Sequence, residues 1–97
     1  MEPLSTDQIE KKLEKLNGWS FSNDKIHKEL TFSDFREAMG FMVRAGFEAE
    51  EQAHHPEWKN VYNTVSISLS THDAGDKVTK KDIELASAID KIYKNYG

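Results

Sequence analysis

The sequence predicts an α+β fold in one domain spanning residues 1–97, a four-stranded antiparallel sheet with three helices packed on one face, in the order α-β-β-α-β-β-α. Three observations lead there. Four short runs alternate apolar with polar residues and fall into two pairs around turn-forming residues, the mark of β-hairpins. Three other stretches carry apolar residues on one side only, at helical period. Each one-sided element needs an apolar layer to lie on, which a sheet covered on a single face supplies. The chain has 97 residues, 37% hydrophobic and 31% charged, the balance of a water-soluble globular domain rather than a disordered one.

Ser5-Thr6-Asp7-Gln8 has the form of a capping box and starts the first helix. Ile9, Leu13 and Leu16 follow on one narrow stripe, and Gly18 stands where a left-handed C-cap belongs, so the helix is predicted over 6–16. Trp19-Ser20-Phe21-Ser22 and Ile26-His27-Lys28-Glu29-Leu30-Thr31-Phe32 flank Asn23-Asp24-Lys25 and read as the first hairpin. Lys28 falls on the apolar side of its strand, which places one end of that strand near solvent.

Ser33 is the predicted N-cap of a long helix reaching residue 52, with Asp34 against its positive end. Phe35, Ala38, Met39, Met42, Gly46, Ala49 and Ala53 gather on the expected core face. Gly40, Val43 and Phe47 form a second strip that either widens that face or meets another subunit. In the second hairpin, a two-residue turn at Asn63-Thr64 would pair Tyr62 with Val65, Asn60 with Ile67 and Trp58 with Leu69. After a loop at 73–77, Thr79 caps the last helix with Asp82 at the third position. Leu85, Ala88, Ile89, Ile92 and Tyr96 share its inner face. Lys80 and Lys81 sit at the wrong end for the helix dipole, and Asp82 projects inward.

The 13 basic and 17 acidic residues leave a net charge of -4, which argues against direct nucleic-acid binding. A small molecule or a protein is the expected partner. No cysteine is present, so disulfides and thiolate metal sites are excluded. No run of about 20 apolar residues suggests a membrane span. The cytoplasm is the default location.

Three of the four histidines lie in two segments, Glu50-Glu51-Gln52-Ala53-His54-His55-Pro56-Glu57-Trp58 and Ser70-Thr71-His72-Asp73. Pro56 forces His55 out of helical geometry and stops the helix. Hairpin topology then brings His72 toward the pair. Imidazoles titrate near neutrality and suit general acid–base chemistry, whereas adjacent His54 and His55 lack the i, i+4 spacing of helix-borne metal ligands. The plainer alternative is that His54 and His55 cap the helix's terminal carbonyls. Trp58 is either core or a stacking surface for a flat ring, and His27 reads as a surface strand residue. The serines at 66, 68 and 70 alternate as the polar face of a strand, outside any nucleophile motif.

These residues carry a resemblance. Glu50, Ala53-His54-His55-Pro56-Glu57-Trp58, Val61-Tyr62-Asn63, Val65, Ser70-Thr71-His72-Asp73, Thr79-Lys80-Lys81-Asp82 and Leu85-Ala86 together resemble the pterin-4a-carbinolamine dehydratases. The likeness extends to Trp19, Ile26 and the stretch Phe35 to Phe41. It implies a lyase that dehydrates 4a-hydroxytetrahydropterin to quinonoid dihydropterin, recycling the cofactor of aromatic amino acid hydroxylases, with no metal or other cofactor of its own. It implies homodimers or homotetramers. Animal members also act as a dimerisation cofactor for a homeodomain transcription factor, which adds the nucleus as a second location. Residue by residue, His54, His55 and His72 match the catalytic histidines, and Glu50, Trp58, Ser70, Thr71 and Asp82 match positions lining the pterin site. Between His72 and Asp82 the chain is one residue longer than the family's pattern, and Asp76-Lys77 stand where a second glycine is usual.

Overall fold

A computed structural model describes residues 2–96, so Met1 and Gly97, the ends of the expected domain, lie outside the described residues. Helix α1 (Thr6–Leu13) precedes strands β1 (Ser20–Ser22) and β2 (Lys25–Thr31). Helix α2 (Phe35–Glu51) leads to β3 (Glu57–Val61) and β4 (Thr64–Leu69), a 3₁₀ turn over His72–Ala74, and α3 (Lys80–Tyr93). The four strands form one antiparallel sheet in the order β1-β2-β4-β3. The helices cover one face, as the hydrophobic patterning requires.

The local signals explain most boundaries. Ser5 and Gln8 exchange both capping-box hydrogen bonds. The helix they start ends at Leu13, three residues short of expectation, because 3₁₀-type bonds from Lys15 to Lys12 and Leu16 to Leu13 replace the α pattern. Asn23 and Asp24 both take left-handed backbone angles (φ 51° and 62°), the conformation a two-residue hairpin turn demands.

Asp34, not Ser33, caps α2: its carboxylate accepts from the Glu37 backbone N–H, while the Glu37 side chain reaches back to the Ser33 N–H. The core side of α2 is Ala38, Phe41, Ala45 and Ala49, a stripe rotated from the expected one. Phe35 and Met39 lie 44% and 42% exposed and continue through Val43 and Phe47 at i, i+4 spacing, the last 73% exposed. The alanines let the helix approach the sheet closely. Phe41 fills an aromatic cluster with Phe32, Tyr93 and Tyr96 at centroid distances of 5.2–6.3 Å.

The second hairpin turns at Tyr62-Asn63, so Val61 pairs with Thr64, Asn60 with Val65 and Trp58 with Ile67. The expected register is thus displaced by two positions, which leaves every side chain on its original face. What selects the turn is Asn63, whose backbone carbonyl and side-chain amide bond the N–H and C=O of Phe32 beyond the end of β2.

Lys28 is the other departure. Its ammonium does not reach solvent at a strand end but pairs with Asp90 of α3 at 2.8 Å, above the rings of Trp19 and Tyr93. Asp90 also accepts from the Trp19 indole N–H. On the helix-free face, His27 donates from Nε2 to the Ser22 carbonyl, leaving Nδ1 to accept from the Ser68 hydroxyl at 2.8 Å. Across the sheet, Lys25 and Glu57 form a 2.7 Å ion pair. Their hydrogen bond, reinforced by charge attraction, lowers the Glu57 carboxyl and raises the Lys25 ammonium from their ordinary ranges, but screening by solvent at the surface leaves little stability in it.

Candidate active site

The site begins where α2 ends. The Ala53 N–H bonds the Glu50 carbonyl and the His54 N–H bonds the Ala49 carbonyl, both at 3.0 Å, with Ala53 at φ 54°. This is a Schellman motif with alanine in the left-handed position that usually belongs to glycine, at a cost of roughly 1 kcal/mol. The helix carbonyls are therefore closed by backbone N–H groups, and the two histidine rings are free for other partners. The motif swings His54 and His55 off the helix axis toward the end of β4 and the start of α3.

There His54 is buried, and its Nε2–H donates to Asp82 at 2.5 Å. Asp82 is fully buried on the first turn of α3. Its second oxygen accepts from the Thr71 hydroxyl at 2.8 Å and the Thr79 N–H at 2.9 Å. A carboxylate only accepts, so Thr71 spends its proton on Asp82. Thr79 must then donate to Thr71 across 2.6 Å while accepting from the Lys81 N–H. The result is a directed chain of hydrogen bonds knotting β4's end to α3's start, and no buried side-chain nitrogen or oxygen among the described residues lacks a partner.

The other two imidazoles also meet carboxylates. His55 Nε2 lies 2.8 Å from Glu50, and His72 Nδ1 lies 3.2 Å from Asp76. Each ring thus commits one nitrogen to a carboxylate and leaves the other for a ligand: Nδ1 of His54 and His55, Nε2 of His72. A neutral ring so held carries its proton on the carboxylate side and a lone pair on the free nitrogen.

All three histidines line one cleft of about 240 Å³, together with Ala53, Ser70, Thr71, Asp73 and Lys81. Of the residues singled out from sequence, Ser70 and Thr71 join the histidines there. Glu50 stands behind His55, and Asp82 stands behind His54 with no exposed surface. Trp58 is half-buried on the helix side of β3, packed toward Gly46 of α2, and is not a cleft-lining residue.

Lys81 and Asp73 were not foreseen as lining residues. The available signal for Lys81 was its unfavourable place at a helix N-terminus. Among the described residues no cluster of three or more His, Cys, Asp or Glu is disposed to hold a metal ion. A larger cleft, about 380 Å³, separates the C-terminal ends of α1 and α3, but its polar centre is the Lys28–Asp90 pair, already satisfied.

The family described as pterin 4 alpha carbinolamine dehydratase matches residues 2–92. A protein of Opitutus terrae named for pterin-4-alpha-carbinolamine dehydratase is 54% identical over 89 residues, 92% of each chain. One of Christiangramia forsetii, with the same designation, is 50% identical over 95 residues, covering 98% of this chain and 97% of the relative. A crystal structure from Brucella melitensis, described as a transcriptional coactivator/pterin dehydratase, superimposes with a TM-score of 0.90 at 36% identity, covering 95% of this chain and 99% of that one.

Proposed function

Because the chain belongs to the pterin 4 alpha carbinolamine dehydratase family, we propose that it is a lyase dehydrating 4a-hydroxytetrahydropterin to the quinonoid dihydropterin. The observation that carries this reading is the single cleft lined by three imidazoles, each with one nitrogen held by a carboxylate. The reaction breaks the C4a–O bond and forms a C4a=N5 double bond without redox change. An imidazolium gives its proton to the departing oxygen, which leaves as water, and a neutral imidazole takes the proton from N5. Each such transfer typically contributes ~10²- to 10⁴-fold.

Burial supports a division of labour. His54, immobilised by Asp82, orients the pterin. His55 and His72, whose side chains are 66% and 91% exposed, exchange protons with substrate and solvent and serve as acid and base. Ser70 borders the ring from β4's end, and Thr71 shapes the wall with its hydroxyl turned inward. Glu50 and Asp82 act through their histidines, and Trp58 supports α2 beneath the site. Recycling of a pterin cofactor for aromatic hydroxylases is the physiological setting that fits. Stopped-flow mixing with chemically generated 4a-hydroxytetrahydropterin tests the assignment. Micromolar protein is expected to accelerate the decay well beyond its spontaneous rate, and a rate equal to the uncatalysed one would remove the enzymatic reading.

A second reading concerns assembly, and a specific feature favours it. The stripe Phe35-Met39-Val43-Phe47 is exposed along α2, a patch of the kind that marks protein contacts. We assign it to homodimer or homotetramer formation. The Brucella neighbour is described as a transcriptional coactivator, and the same stripe is the proposed docking surface for a transcription-factor partner, without direct contact to nucleic acid. Phe47→Asp is expected to lower the mass measured by analytical ultracentrifugation, and an unchanged mass would move the interface elsewhere. Among the described residues no helix is long and apolar enough to cross a membrane, and cytoplasmic residence is the matching proposal.

A further inference from the structure

The loop after β4 brings a further carboxylate to the site. Residue 76 has φ 61°, a left-handed conformation that favours glycine, yet the chain places aspartate there. The loop is tightly clasped. Asp76 N–H bonds the Thr71 carbonyl, Gly75 N–H bonds the His72 carbonyl, and Thr71 N–H bonds the Lys77 carbonyl, at 2.8–3.0 Å. Lys77 is tied in turn to Asp24 across the sheet's end. This clasp fixes residue 76 relative to residue 72 and brings Asp76 Oδ1 to 3.2 Å from His72 Nδ1.

We infer that Asp76 is a positioning residue for His72, holding the ring in the tautomer protonated at Nδ1 so that an unprotonated Nε2 is presented to the cleft. The inference rests on the reading of His72 as a proton-transfer group in pterin dehydration. A histidine left to itself in water favours the opposite tautomer, with the proton on Nε2, which is the wrong form for a base facing the substrate. Buried Asp82 does the corresponding work for His54, and exposed Glu50 for His55. Asp76 completes the set for His72. The pair is 91% and 68% exposed, so solvent screens it and the effect is modest. Charged or titratable neighbours of His72 at the site are Asp73 on the same turn, Lys81 of α3, and His54 and His55 across the cleft.

The test compares the full chain with Asp76→Gly and Asp76→Asn. Glycine relieves the left-handed backbone, so Tm is expected to stay within about 3 °C of the parent. Nonetheless kcat should fall about 3- to 10-fold with KM changed less than about twofold. Nitrogen-15 NMR of the His72 ring should report Nδ1–H in the parent and a shift toward Nε2–H in Asp76→Gly. Asp76→Asn, whose side-chain carbonyl still accepts from Nδ1–H, should keep the tautomer and recover most of kcat. A parent ring already protonated at Nε2, or Asp76→Gly with unchanged tautomer and kcat, would overturn the inference. Absence of turnover in the parent would instead count against the dehydratase reading, and the ring tautomers would still decide the role of Asp76.

Discussion

Replacing Asp82 with alanine is expected to cost about 2–4 kcal/mol of folding stability and to lower kcat about 100-fold or more. The size follows from what the carboxylate holds. It is fully buried and accepts from the His54 ring, the Thr71 hydroxyl and the Thr79 backbone N–H. Alanine leaves all three donors inside with nothing to receive them. The loss reaches further, because Asp82 also closes the capping box of α3, typically worth about 1 kcal/mol. In a domain of this size each 1 kcal/mol moves Tm by roughly 4–8 °C, so a thermal melt separates the outcomes clearly. A melt within 3 °C of the parent would mean that Asp82 is not the keystone its hydrogen bonds describe. Asp82→Asn keeps the shape and one acceptor oxygen, and its melting point should fall between the two.

His72→Ala has the opposite signature. The side chain is 91% exposed and contributes no packing, so stability should change by no more than about 0.5 kcal/mol. Turnover, by contrast, should drop about 10²- to 10⁴-fold if this imidazole moves a proton in the rate-limiting step. Added imidazole should restore part of the rate, since the truncated side chain leaves an open place at the cleft's edge. The measurement must use both stereoisomers of the 4a-carbinol, because their hydroxyls leave from opposite faces of the ring. Full activity toward both would eliminate His72 from the chemistry and return the site to His54 and His55. Comparing the two variants sorts the histidine cluster into a part that the fold depends on and a part that only the reaction needs.

Much of this architecture is legible in the linear chain because the signals are local. The capping boxes at Ser5 and Thr79 and the Asn23-Asp24 turn each depend on neighbours within four residues, and each lies where its chemistry requires, whereas α2 stops at left-handed Ala53, ahead of Pro56. The parts that misled depend on distant partners. Alternation in the second hairpin is the same for turns at Tyr62-Asn63 and Asn63-Thr64, and what decides between them is Asn63 bonding Phe32, thirty-one positions away. Helix α2 carries two apolar stripes, and periodicity cannot say which one meets the sheet. The small one does, and the large one faces out. Lys28 reads as a strand-end residue until Asp90 of α3 supplies its counter-charge.

At the site, the pairing of helix end and strand end was enough to foresee three rings near one another. The carboxylate partners were less legible. Glu50 and Asp82 stood out by motif, as pterin contacts rather than as supports for histidines. Asp76 was visible only as an irregularity of loop length, because nothing in a one-dimensional pattern reveals that a left-handed residue aims its side chain backward.

The alanine that ends α2 sets two selective demands against each other at a single codon. Glycine would sit there more comfortably and a search for heat resistance would favour it, yet glycine would slacken the stalk from which two of the three rings hang. The methyl group at residue 53 thus trades a strained backbone for a stiffer mount.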